Sequence, residues 1–434
     1  YIVPKVDPAS GQQEVSSIFA GAVWLGGYDP VGNLKLAAQS YRTGNANDFW
    51  PGPLDPFEGT IETSVCEQWD KHFQVLGTNI AAHLANYSKA IQAGTDYDCE
   101  SIPEDVLGWP ARGNPYFEEI HGFKLPNTTQ GLAAFYDQDG DGQYDPCVGD
   151  YPVIEIRGCT VPQYPDEMVF WIYNDAGGIH TQTQGQPIQM EVQVQAFAYA
   201  TNDEINDMTF QRYKLINRAT TSIDSTFFAM WVDPDLGCFT DDYIGCDTSR
   251  SLAYVYNEDV LDGETGCDCP LGVGTYCDEV PILGVDYFRG PLDEEGNEIG
   301  MSSFTYYNNQ AVGNWPNAMT DPQVAQEYYN YMSGSWKDGT PFTYGGTGFQ
   351  IAGSPIDFAF TEPPNDVNGW SMCTANLDFG DRRTIQASGP FRLDPGAVNE
   401  LIVGVVWVPD MAYPCPDIER LLSADDIAQA LFDN

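Results

Sequence analysis

Residues 189–199 read QMEVQVQAFAY, and the fold turns on this stretch. Val192, Val194 and Ala196 alternate with Gln193 and Gln195. A period of two marks a half-buried strand, because successive side chains point to opposite faces. The same texture extends on both sides. Segments 168–173, 208–216 and 225–232 are apolar or alternating with Asn, Asp and Gly between them, and strands resume at 384–387 and 401–408. Strands at this spacing predict a mainly β chain, an antiparallel β-sandwich with a few short helices.

The flanks divide the chain into three expected regions. Residues 1–165 form a loop-rich N-terminal region: an apolar run at 19–27, a turn at 29–33 and a return at 34–41 predict a hairpin, and 79–90 is an amphipathic helix. Residues 166–410 are the sandwich, with 258–345, rich in Gly, Cys, Asn and Tyr, expected as an insertion. Residues 411–434 hold a helix over 417–432, where Ser423 and Asp426 form a capping signal.

The 434 residues carry 63 acidic and only 18 basic side chains, a formal net charge of −45. Such a chain is repelled by nucleic acid and by anionic lipid, so neither is an expected partner. The charge serves solubility, and bound cations would relieve its self-repulsion. No run of about 18 apolar residues is present, so no membrane-spanning helix is expected. Tyr1 opens on Ile2-Val3-Pro4 with neither an initiator Met nor a signal peptide, which predicts a mature or trimmed segment.

Eleven cysteines sit largely in Gly-, Pro- and Asp-rich loops, as suits an oxidising, extracellular setting. Local pairs Cys147–Cys159, Cys238–Cys246 and Cys66–Cys99 are candidate bridges, and the odd count leaves at least one thiol over. Cys267, Cys269 and Cys277 lack a nearby fourth Cys or His, which favours a disulfide loop over zinc.

The strongest motif is Asp137-Gln138-Asp139-Gly140-Asp141-Gly142-Gln143-Tyr144-Asp145. Calcium takes six to eight oxygens, and carboxylates at alternate positions of a tight loop converge on one point. The expected ligands are Asp137, Asp139, Asp141, the Gln143 carbonyl, and Asp145 and Asp150 competing to complete the shell. An EF-hand would carry Glu at its twelfth position, where this chain has Val148, and would leave through a helix, where this chain has Pro146 and Pro152. The loop is therefore similar to dockerin- or thrombospondin-type calcium loops, a static staple. A second acidic stretch, Asp233, Asp235, Asp241, Asp242 and Asp247, places five carboxylates within fifteen residues and is a further candidate metal site.

Other chemistry is sparse. His72, His83, His121 and His180 form no metal-spaced pair, and no nucleophile elbow, phosphate-binding glycine loop or His-Glu-x-x-His motif occurs. No catalytic constellation is visible, so an enzyme is not expected. Asp224-Ser225-Thr226 fits an O-glycosylation pattern, and Asn86 and Asn127 begin N-linked sequons.

Several long motifs taken together resemble one family: FAGAVWLGG at 19–27, LAAQSYRTGNANDFWPGPLD at 36–55, YDQDGDGQYDPCVGDYP at 136–152, WVDPDLGCFTDDYIGCD at 231–247 and RRTIQASGPFRLDPGAVNELIVGVVWV at 382–408. The chain resembles the N-terminal region of large secreted Bacteroidota surface proteins that carry a C-terminal sorting domain for type IX secretion. The resemblance implies export to the cell surface or medium and brings no biochemical activity with it. No sorting domain follows here, which suits a processed chain. The expected function is a calcium-stabilised structural or surface protein that assembles as a homo-oligomer, filament or sheath. The alternatives are an adhesin or carbohydrate-binding module, with Tyr328, Tyr329 and Tyr331 stacking on surface glycans, and a polysaccharide hydrolase using paired carboxylates.

Overall fold

A computed structural model describes residues 1–6, 8–10, 13–159 and 161–433. Its principal strands are β1 (Ala20–Tyr28), β2 (Leu34–Ala38), β3 (Phe73–Leu76), β4 (Glu167–Asn174), β5 (Met190–Ala198), β6 (Thr209–Asn217), β7 (Ile223–Asp233), β8 (Asp242–Asp247), β9 (Leu252–Asn257), β10 (Ile282–Arg289), β11 (Ser303–Asn308), β12 (Arg382–Leu393) and β13 (Val398–Val408). A nine-stranded sheet runs β8-β9-β10-β13-β6-β5-β4, with the short strand Trp50–Pro51 and β3 both pairing with β4. A five-stranded sheet runs β11-β12-β7-β1-β2. The pairing in both sheets is antiparallel.

The two sheets meet through aromatic side chains, which bury large apolar areas and add ring-edge contacts. Phe228 on β7 lies 5.2 Å from Tyr213 on β6 and 6.2 Å from Tyr287 on β10, centroid to centroid. The Tyr287 hydroxyl accepts from Met230 N at 3.3 Å and donates to Gln386 O at 2.7 Å, so it is satisfied by the opposite sheet. The mainly β sandwich predicted from the alternating strands is the architecture observed.

The outer faces are covered as well. Gln193 and Gln195, expected to face solvent, are both 2% exposed. Gln193 Nε2 donates to Gly131 O at 3.1 Å and Gln195 Nε2 to Val153 O at 2.8 Å, so loop segments of the N-terminal region lie across β5. The expected helix at 79–90 is part of α1 (Gly77–Ala93). On the smaller sheet α2 (Ala325–Met332) packs Tyr328 against Trp24, 4.7 Å between centroids, and Tyr329 against Phe227 at 5.7 Å. Farther along the larger sheet α3 (Glu419–Phe432) brings Phe432 within 5.2 Å of both Phe210 and Phe288.

Three expectations change. The 258–345 stretch is not an insertion beyond the sheets, since it supplies β10, β11 and α2. Tyr328, Tyr329 and Tyr331 are 2%, 8% and 0% exposed and form no sugar-stacking platform; burying their rings against the sheet removes more apolar surface from water than exposure would. Ser423 lies inside α3, whose N-cap is Ile418, so it does not cap the helix. In the O-glycosylation pattern Thr226 is fully buried while Ser225 is exposed, and Asn86 and Asn127 are exposed.

Candidate cation sites

The Asp137–Asp150 loop is closed at its base by a two-residue ladder in which Phe135 pairs with Pro152 and Tyr136 with Tyr151. Gly140 and Gly142 both take φ of 78°, left-handed backbone that glycine adopts without a Cβ penalty. The turn they permit folds the chain around Asp137. Its Oδ1 accepts from Gly140 N at 2.7 Å and its Oδ2 from Gly142 N at 2.7 Å. Slight burial opposes ionisation of Asp137, but these N–H donors hold its carboxyl below the usual range. Asp141 Oδ1 in turn accepts from Gln143 N at 2.7 Å.

One oxygen each from Asp137, Asp139 and Asp141 falls within 4.8 Å of the others, and Asp139 and Asp141 are exposed. Oxygens sharing one metal ion at about 2.0–2.4 Å lie no more than about 4.8 Å apart, so the spacing admits a metal cation. Asp145 and Asp150 are outside this convergent group of carboxylates. Asp145 Oδ1 caps the turn Pro146–Val148 by accepting from Cys147 N at 2.9 Å. Asp150 is fully buried and accepts from Gln138 N and Asp145 N, each at 2.8 Å, tying the two limbs of the loop together from inside. Burial pushes its carboxyl up to about 6 against those two hydrogen bonds, and the charges of Asp137 and Asp139 add to the rise.

The loop is held to α1 by a buried histidine and to the segment after α1 by a covalent bond. Cys147 pairs with Cys99, beyond the end of α1, and His83 Nε2 lies 2.9 Å from Asp150 O. Tyr144, within the loop, is fully buried and donates its hydroxyl to Val106 O at 2.6 Å.

The second acidic stretch does not form one site. It parts into three groups because β7 ends at Asp233, β8 begins at Asp242 and β9 turns back after Asp247. Asp233 and Asp235 meet Asp381, with one oxygen of each within 4.8 Å of the others. Burial first, and the charges of Asp233 and Asp381 second, push the Asp235 carboxyl up to about 8. Asp241 and Asp242 approach Asp262, whose carboxylate accepts from Cys238 N and Tyr276 N. Asp247 pairs with Arg250 at 3.1 Å, and Arg250 also reaches Asp426 on α3 at 3.1 Å. Asp381 sits more than a hundred residues away from Asp233 in the chain, and no local spacing pointed to it; only the pairing of β7 with β12 brings them together.

The disulfides differ from the local pairs expected. Those observed are Cys99–Cys147, Cys238–Cys269, Cys267–Cys277 and Cys373–Cys415. Cys66, Cys159 and Cys246 are free. Cys246 is held inside β8 with Sγ 3.4 Å from Ala359 O, which takes it away from Cys238. Cys267 and Cys269 enter different bridges, in keeping with a disulfide loop there. Four disulfides suit an oxidising, extracellular compartment, and among the described residues no helix is long and apolar enough to cross a membrane.

The histidines are structural in their contacts. His180 is buried with Nδ1 2.8 Å from Leu36 O and Nε2 2.6 Å from Asp175 O. Both ring nitrogens thus face carbonyl oxygens, and Asp48 and Asp175 flank the ring at 3.7 Å and 3.8 Å. The spacing of charged residues gave no sign of this group, whose two carboxylates come from distant segments.

No family model matches the chain, and no curated protein is significantly similar to it in sequence.

Proposed function

We propose that this chain is an extracellular structural or surface protein whose Asp137–Asp141 loop is locked by calcium and whose copies assemble into a filament or sheath. The observation that carries the reading is the convergence of three carboxylate oxygens on a loop already fastened by Cys99–Cys147 and by His83. Asp137, Asp139 and Asp141 hold the ion; Asp150 shapes the loop without belonging to the convergent group. The ion acts as a static staple, because the loop exits into a short turn and a strand and has no helix pair to open. A formal charge of −45 makes copies repel one another, and divalent cations held by each copy lower that cost of assembly. Export of the resembled surface-protein class and four disulfides support the compartment.

Chelation tests the reading. EDTA is expected to lower the melting temperature of the purified chain and to dissolve assemblies seen by electron microscopy of native material, with calcium restoring both. An unchanged melting temperature together with unchanged assemblies overturns it.

A further inference from the structure

Three carboxylates meet where strands of the smaller sheet begin and end. Asp233 is the last residue of β7, Asp381 immediately precedes β12, and Asp235 lies just past β7. Asp233 is 1% exposed and Asp381 8% exposed, whereas Asp235 is half-buried and opens towards solvent. One basic side chain reaches them: Arg383 Nη2 is 3.3 Å from Asp233 Oδ2, and its Nη1 contacts Asp381 Oδ1. Tyr41 donates to Asp233 Oδ2 at 2.5 Å and Asn309 Nδ2 to Asp381 Oδ2 at 2.6 Å. Asp233 Oδ1 is buried and has no hydrogen-bond donor. A buried carboxylate oxygen left without a donor costs free energy that a ligand would recover. With all three carboxylates ionised against one guanidinium the formal charge is −2 in a mostly buried place, the deficit that one divalent ion cancels.

We propose that Asp233, Asp235 and Asp381 bind a divalent metal cation, with the donor-free Asp233 Oδ1 as one of its ligands. An all-oxygen, all-carboxylate set selects a hard ion of the calcium or magnesium class over zinc. The ion ties the end of β7 to the start of β12 and, through Tyr41, to the segment after β2. This site is independent of the Asp137–Asp141 loop and stands or falls without it.

The test is calcium and magnesium titration of the intact, EDTA-treated chain by calorimetry, comparing wild type with Asp235→Asn and with the loop variant Asp137→Asn/Asp139→Asn. The expected stoichiometry is two cations per wild-type chain, and one in each variant. Wild-type stoichiometry in the loop variant, with loss of one cation in Asp235→Asn, sinks the loop reading and leaves this one intact. Wild-type stoichiometry and affinity in Asp235→Asn overturn the present proposal. So does a higher melting temperature for Asp235→Asn with unchanged stoichiometry, because that marks a shared proton in place of an ion. Far-UV circular dichroism establishes that the variants fold, and Asp235→Ser repeats the test with a smaller side chain. If neither Asp235 variant folds, the wild type and the loop variant decide: one cation in the first and none in the second overturns the proposal.

Discussion

His83 Nε2 donates to the backbone carbonyl of Asp150 across 2.9 Å, and both residues are fully buried. The carbonyl fixes the tautomer, so Nδ1 accepts from the Tyr97 hydroxyl at 2.9 Å. Burial pulls the His83 pKa down, which keeps the ring neutral and able to do both. His83→Ala leaves the Asp150 carbonyl and the Tyr97 hydroxyl without this partner. It is expected to cost about 1–3 kcal/mol in denaturant unfolding and to weaken the proposed calcium binding at the loop although it is no ligand. Unfolding curves and a calcium titration of the variant check both parts.

Asp286 on β10 and Asp425 on α3 are buried together, and neither oxygen of Asp286 has a donor. Burial first pushes Asp425 up to about 7 from the ordinary 3.8, opposed by Arg250 and reinforced by Asp426 and Asp247. Burial and Asp425 raise Asp286 well above its ordinary value. The folded state thus holds a proton that the unfolded state releases. Its contribution is complete below pH 3.8 and is lost as pH rises through about 7. Asp425→Asn is expected to match wild type near pH 3 and to exceed it near pH 8 by on the order of 4 kcal/mol. Melting temperatures of both proteins across that window measure the difference.

His180, held between Asp48 and Asp175, is a second stability test. Both aspartates are fully buried, and removing the ring leaves the Leu36 and Asp175 carbonyls without this partner. His180→Ala is expected to destabilise the chain by about 1–3 kcal/mol in urea unfolding.

Non-reducing peptide mapping should recover the four observed bridges, with Cys66, Cys159 and Cys246 alkylated in denaturant. Cys246 is 1% exposed and burial pushes its thiol well up, so it should resist alkylation in the native protein. Replacing Cys99 and Cys147 by serine is expected to cost about 2–4 kcal/mol and to lower calcium affinity, because the bridge anchors the loop.

Gly404 on β13 sits under α3, where a Cβ would come within 2.4 Å of Phe288 and 2.8 Å of Phe210. Those rings hold Phe432. Gly404→Ala is expected to cost about 1–3 kcal/mol and to increase amide exchange in α3 ahead of the sheets.

Periodicity alone was enough for β1, β2, β4–β7, β12 and β13, while β3 and β8–β11 went unpredicted. Val192-Gln193-Val194-Gln195 declares its geometry in four residues, and the 19–41 hairpin, the 79–90 helix and the sandwich class were legible for the same reason: each is set by neighbours in the chain. The Asp137-x-Asp139-x-Asp141 loop was legible too, since alternate carboxylates and two left-handed glycines build the convergence locally. Partnership over long separations was not. Gln193 and Gln195 lost solvent to loops far upstream, Asp381 joined Asp233 through β12, and Cys99 reached Cys147 past nearer thiols. The second acidic stretch shows the limit most plainly, because its five aspartates are adjacent in sequence and the strands carry them to three different places. Local backbone geometry follows from short-range sterics and side-chain period; which charges meet is decided by how the sheets pair and pack.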